Sequence, residues 1–161
     1  ALFLVLGFLV KRRGSAQVDA FGGVQKTAPV LAGMFLFAGL ATMSLPGISN
    51  FIGEFMVLAG AWSRHPVYVA VATLGMVLGA VYILLTYKRT MTGPLTQATK
   101  AHVTTDLTGL EKAALTPLVI LLLVFGFFPR PMLHVIEPVA HQTMSIVGVT
   151  DPAPAAEEGV K

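Results

Sequence analysis

Apolar residues in this chain come in long blocks, not in the alternation of a half-buried strand or the narrow stripe of a soluble amphipathic helix. The first block is Ala1–Val10, closed by Lys11-Arg12-Arg13, and a polar, Gly-containing loop follows to Gly23. A second block runs from Pro29 to Trp62, a third from Val67 to Tyr87, and a fourth from Ala113 to Phe128, where Pro129-Arg130-Pro131 stops it. Met132 to Val147 carries apolar residues at helical spacing with polar ones between them, the pattern of a helix lying along an interface. The pattern predicts an all-α integral membrane protein, a transmembrane helix bundle over 1–148, and a disordered tail over 149–161 rich in Pro, Ala and Glu. The first block has ten residues where a span needs roughly 20, so the chain is expected to start partway through a membrane helix of a longer protein.

The second block has the wrong length for one straight helix. Its 34 residues would extend roughly 51 Å, against a hydrocarbon core of about 30 Å. It is too short for two spans and a loop. Leu45-Pro46-Gly47 stands at its middle. Pro removes a backbone donor and clashes with the preceding turn, and Gly admits unusual dihedrals. The expected element is a broken helix with an unwound centre, the device by which transporters present polar backbone near the bilayer midplane.

Composition strengthens the membrane reading. The chain is 55% hydrophobic and 12% charged, about half the charge of an ordinary soluble domain, and its mean hydropathy is +0.76. A net charge of +3 does not indicate nucleic acid, because the basic residues sit at the ends of apolar blocks without interleaved aromatics. They set orientation instead. Lys11, Arg12, Arg13, Lys26, Lys88, Arg89, Lys100 and Lys112 fall on one side, and only Arg64, Arg130 and Lys161 on the other. The first side is therefore expected to be cytoplasmic and the C-terminus to face away from the cytoplasm.

Glu54 is the one carboxylate inside these spans. A charged side chain at bilayer depth costs on the order of 3 kcal/mol, so such a residue is a candidate functional site. Asn50 lies four residues earlier on the same helix face, with Ser49 and Ser44 nearby. Two readings stay open from the residues alone: a protonatable site reached by water, or a polar contact between helices. No Lys or Arg lies within an apolar span, so a cationic partner in the membrane has to come from outside this sequence.

The remaining motifs carry less chemistry. There is no cysteine, so this sequence has no disulfide, thiolate metal site or Cys-ligated cluster. His65, His102, His134 and His141 avoid the deep apolar spans, and His134 and His141 lack a further ligand to complete a metal set. No dinucleotide or phosphate-binding loop is present. Gly75 and Gly79 form a GxxxG that admits a close helix neighbour, with Thr73, Tyr82 and Thr86 available for polar contacts on the same helix. Thr108 and Glu111 have the spacing of a capping box that starts the fourth span.

The run Leu45-Pro46-Gly47 … Phe51-Ile52-Gly53-Glu54-Phe55 resembles the second broken helix of the antiporter-like membrane subunits of bacterial NADH:quinone oxidoreductase, respiratory complex I. Within that family Glu at position 54, where sister subunits and Mrp antiporter subunits carry Lys, resembles the M-type branch. Ala80-Val81-Tyr82 leading to Lys88-Arg89 is similar to the next helix of the family, and Asp106-Leu107 … Glu111 … Pro117-Leu118 … Gly126 … Pro129 to the one after it. Leu110 departs from the family, which often has Arg there. The resemblance covers about residues 1–138, the C-terminal part of such a subunit.

The resemblance implies an antiporter-like fold and proton movement along a polar axis. Glu54 would be the proton exit residue, Asn50 a support on that axis, and Pro46 and Gly47 the helix break. It implies no cofactor in this chain, with NADH, FMN, iron–sulfur clusters and quinone in partner subunits. Partners would be neighbouring membrane-arm chains and membrane lipid, in the bacterial inner membrane. A cation/proton antiporter subunit of the Mrp type or a membrane-bound hydrogenase arm, with the same fold, is the alternative. A structural scaffold is the third, in which Glu54 carries no proton.

Overall fold

The computed structural model describes residues 1–148, and the expected disorder of 149–161 falls outside the described residues. All regular structure among the described residues is helical: α1 (Leu2–Arg13), α2 (Pro29–Thr42), α3 (Ser49–Trp62), α4 (Pro66–Met91), α5 (Gln97–His102), α6 (Gly109–Phe127) and α7 (Arg130–Val147), with short 3-10 helices at Val18–Ala20 and Val24–Lys26 between α1 and α2. Two of these are long and apolar enough to cross a membrane: α4, with mean hydropathy 2.2, and α6, with 1.9. Only 11% and 6% of the residues in their apolar windows are buried within the chain. Val71, Leu74, Leu78, Ile120 and Leu121 are among the large side chains left exposed, as helices facing lipid or neighbouring helices require. The protein is an all-α membrane protein.

The packed core lies at the end where the basic residues cluster. Val5 and Leu9 of α1, Leu31, Ala32 and Phe35 of α2, Met91 at the end of α4, Val103 and Leu107 of the following loop, and Leu115 of α6 form one buried cluster. The Phe35 and Tyr87 rings meet at 6.1 Å between α2 and α4. Further along this pair Gly39 lets Ile83 approach closely, since a Cβ there would come within 2.8 Å of the Ile83 side chain.

Arg12, Glu111 and Asp106 tie this end together. The Arg12 guanidinium donates to both Glu111 carboxylate oxygens, at 3.0 and 2.5 Å. It also donates to the carbonyls of Thr105, Phe8 and Asp106 at 3.0–3.1 Å. That uses the planar fork of Arg in full, which Lys could not copy. Glu111 closes the capping box as its spacing predicts, accepting from the Thr108 N–H at 2.8 Å while its own N–H donates to the Thr108 hydroxyl at 3.4 Å. Asp106 accepts from the Val30 and Leu31 N–H groups at 2.8 and 2.9 Å. It thereby fills the open donors of α2 with a negative charge where the helix dipole favours one. Pro29, at the first position of α2, has no N–H to leave open.

α3 and α4 form a helical hairpin joined by Ser63-Arg64-His65. α6 packs against the start of α3 through Gly126, where an added Cβ would run into the carbonyl of Gly47. α7, described by itself, is an amphipathic helix. Arg130, His134, Glu137 and His141 share one face, with the imidazoles 3.8 and 4.0 Å from the Glu137 carboxylate.

Arg12→Met is expected to destabilise the protein by about 3 kcal/mol or more, because the Arg12 and Glu111 side chains are only 10% and 16% exposed. A lowered thermal transition of the detergent-solubilised protein checks this. Gly126→Ala should also lower that transition, whereas Gly33→Ala should not, since a Cβ at Gly33 meets nothing within 4 Å.

Candidate functional site

The centre of the site is the interruption between α2 and α3. At the end of α2 the Leu45 N–H reaches back to the Leu40 carbonyl at 3.2 Å, a wider turn than the α-helical one. Leu45-Pro46-Gly47-Ile48 then forms a β-turn closed by the Ile48 N–H to the Leu45 carbonyl at 3.1 Å. Pro46 occupies its second position and Gly47, with φ 94°, its third, the arrangement of a type II turn. Pro46 has no N–H to return to the Thr42 carbonyl, so the ladder of α2 stops there. Ile48 is extended, and α3 begins at Ser49.

Ser44, inside the interruption, is unusual twice over. Its φ of 53° makes it the one non-glycine residue with positive φ among the described residues, which costs an L-residue roughly 1–2 kcal/mol. It is 4% exposed, and its hydroxyl has no hydrogen-bond partner among the described residues. An unpaired buried hydroxyl costs about 1–3 kcal/mol.

Glu54 is the sixth residue of α3, about one and a half turns past its start, in a cleft between α3 and α4. One part, of about 240 Å³, is lined by Gly53, Glu54, Val57, Leu58, Ala72 and Met76. An adjoining part, of about 380 Å³, runs from Glu54 past Ala72, Gly75, Met76 and Gly79 to Tyr82, and reaches Thr42 and Met43 at the end of α2. The GxxxG of α4 thus forms a wall of this cleft, and small residues leave the space beside the carboxylate. Glu54 makes no ion pair among the described residues and is exposed within this chain.

Of the other sequence-predicted residues, Pro46 and Gly47 form the turn just described. Asn50 is exposed on α3 and accepts from the Ser49 hydroxyl at 3.4 Å, without bonding to Glu54. Thr73 and Thr86 donate to carbonyls of their own helix, Val69 and Tyr82, both at 2.8 Å. Tyr82 lines the Glu54 cleft, although sequence reasoning gave it no chemistry. The signal for it was hairpin arithmetic. Counting back from Trp62 to Glu54 and forward from Pro66 sets the carboxylate level with Leu74, and Tyr82 two turns further, level with the interruption. Gly126 and the orphaned Ser44 hydroxyl had no local signal. Among the described residues no group of three His, Cys, Asp or Glu side chains is placed to hold a metal ion.

Residues 1–79 match the family model described as the NADH:quinone oxidoreductase/Mrp antiporter transmembrane domain. NADH-quinone oxidoreductase subunit M of Mycobacterium tuberculosis (strain H37Rv) is 46% identical over 160 residues, 99% of this chain and 29% of the relative. Subunit M of Rickettsia felis is 40% identical over 134 residues, 83% of this chain and 27% of the relative. NADH-ubiquinone oxidoreductase chain 4 of Arabidopsis thaliana is 40% identical over 133 residues, 83% of this chain and 27% of the relative. The chain therefore spans under a third of the length of these curated relatives. A membrane fold built on a broken helix agrees with this likeness, and the chain belongs to the antiporter-like family of NADH:quinone oxidoreductase and Mrp antiporter membrane subunits.

Proposed function

We propose that this chain is the C-terminal part of a proton-translocating membrane-arm subunit of NADH:quinone oxidoreductase, and that Glu54 is its exit-side protonatable group. One observation carries the reading: a lone carboxylate lies about one and a half turns into the helix that follows the interruption, in a cleft walled by small residues, with no ion-pair partner among the described residues. The likeness to proteins named subunit M supports the assignment to that complex. Redox chemistry occurs in other subunits, which hold NADH, FMN, iron–sulfur clusters and quinone. This chain contributes charge movement and no redox centre.

In the proposed mechanism a cation on a neighbouring segment approaches Glu54 and holds it ionised. Withdrawal of that cation leaves an unpaired carboxylate in an apolar cleft, which takes up a proton. Return of the cation expels it toward the non-cytoplasmic side. Moving one charge against 100 mV takes about 2.3 kcal/mol, so the protonated and ionised states have to change in relative energy by at least that much per cycle. Tyr82 and Thr42 supply hydroxyls along the same cleft. The subunit sits in the bacterial inner membrane with its C-terminus on the non-cytoplasmic side, among other membrane-arm chains and lipid.

A cation/proton antiporter of the Mrp type is the second reading, since the matching family description names both. Copurification with NADH-oxidising subunits separates the two.

Glu54→Gln is expected to leave assembly and NADH oxidation measurable while lowering proton translocation per NADH in inverted membrane vesicles. An unchanged ratio would remove Glu54 from the path, and a scaffold role predicts that result. Tyr82→Phe is expected to slow translocation less than Glu54→Gln does, with a larger solvent deuterium isotope effect than the unmodified complex shows.

A further inference from the structure

We infer that α7 carries a pH-responsive hinge at Pro138, closed by His134, Glu137 and His141 when the imidazoles are protonated. Two independent features meet at this place. Pro138 lies inside the helix. It has no N–H to return to the His134 carbonyl, and its ring crowds that carbonyl. The ladder of α7 is therefore weakest between His134 and Pro138, and helices bend at such points. The side chains of one face bridge the same stretch. The Glu137 carboxylate holds Oε2 3.8 Å from His134 Nδ1 and Oε1 4.0 Å from His141 Nε2. The pair with His134 spans the turn whose backbone bond is missing, and the pair with His141 crosses the proline.

The cluster changes character near neutral pH. Imidazole is the side chain that gains or loses its charge between pH 5 and 8. Protonated imidazoles make two ion pairs with one carboxylate, whereas neutral imidazoles have no charge to offer it. The hinge is thus closed in acid and loosens as pH rises through that range. Arg130 is the only other charged group on α7 and makes no ion pair among the described residues. The three cluster side chains are 62–89% exposed, so bulk pH and salt act on them directly. Exposed helical pairs of this kind each stabilise by about twofold, so the two together shift the hinge by about fourfold. That is enough to move a population of bent helices without melting α7.

The hinge governs the apolar side of the helix. Val135 and Ile136 before the proline and Val139 and Ile146 after it are exposed apolar residues on one side of a straight helix. Closing the hinge makes that side continuous, and opening it tilts the second half away. With the C-terminus on the proton-receiving side, as proposed above, closing accompanies the accumulation of protons there. The hinge itself depends neither on that orientation nor on Glu54.

Hydrogen–deuterium exchange of the assembled complex tests this, with each rate referred to the unfolded-peptide rate at the same pH. Protection of residues 134–147 is expected to be about fourfold greater near pH 5.5 than near pH 8, with the difference shrinking in about 0.5 M salt. Glu137→Gln removes the central charge and should abolish the pH difference, and His141→Gln, beyond the proline, should reduce it. Pro138→Ala restores the backbone bond and should raise protection at both pH values while shrinking the difference. Equal protection of the unmodified complex at the two pH values overturns the inference. So does a pH difference that survives Glu137→Gln, or one that Pro138→Ala leaves unchanged.

Discussion

A helix has to satisfy its own backbone or find partners for it, and the segment between Thr42 and Ser49 leaves carbonyls without a backbone donor among the described residues. Water is absent from the bilayer core, and each open N–H or C=O there is costly. The chain nevertheless stops α2 at a proline, turns through Gly47 and starts α3 afresh. Neighbouring protein makes this tolerable: Gly126 of α6 allows the carbonyl of Gly47 to come close, and Phe127 lies 3.6 Å from where a Gly47 Cβ would stand. A Cβ at Gly126 would run into the Gly47 carbonyl and push α6 away from the turn, whereas at Gly47 the obstacle is the positive φ, since a Cβ there would be in ordinary contact with Phe127. The close approach at Gly126 is therefore a condition for the interruption, and the interruption is the condition for the site.

The opposite end of the molecule has the reverse character. Arg12, Glu111, Asp106 and Thr108 satisfy one another and the helix ends around them, and the buried core lies beside them. Charge there is paired and geometrically fixed, so it has little freedom to move with a changing field. Near the interruption the Ser44 hydroxyl and the Glu54 carboxylate have no partner among the described residues, and the surrounding helix faces are open. Paired and unpaired polar groups are thus segregated along the helix axes. The firm end sets where α2, α4 and α6 begin or end, and the loosely satisfied end holds Glu54, the proposed protonatable group.

Much of this was legible in the sequence, for identifiable reasons. The excess length of the 29–62 block, Leu45-Pro46-Gly47 at its centre and the isolation of Glu54 are one-dimensional facts with direct physical consequences. So is the capping box at Thr108 and Glu111. Three things were not legible. Asp106 caps a helix 75 residues away, and no local pattern encodes a long-range partner. Gly126 reads as one more glycine in an apolar helix until the turn it admits is in place. Ser44 reads as a small polar residue near a break, and only the folded backbone gives it a positive φ and a buried, unpaired hydroxyl.

The GxxxG of α4 shows how a correct motif can carry an incomplete meaning. Read as a packing device, Gly75 and Gly79 predict a helix pressed against them. In this chain they instead form the wall of an open cleft beside Glu54, and a Cβ at Gly75 would meet nothing within 4 Å. The two statements agree once the cleft is taken as the seat of a further segment. A carboxylate among apolar side chains is poorly stabilised unless a compensating charge approaches it, and none of the Lys and Arg residues here lies within an apolar span. In the proposed mechanism small residues allow that segment to come close, and, with no Lys or Arg of this chain within an apolar span, the charge of Glu54 follows whatever approaches. On that reading a permanent ion pair within this chain would fix the carboxylate in one state and defeat the proposed cycle.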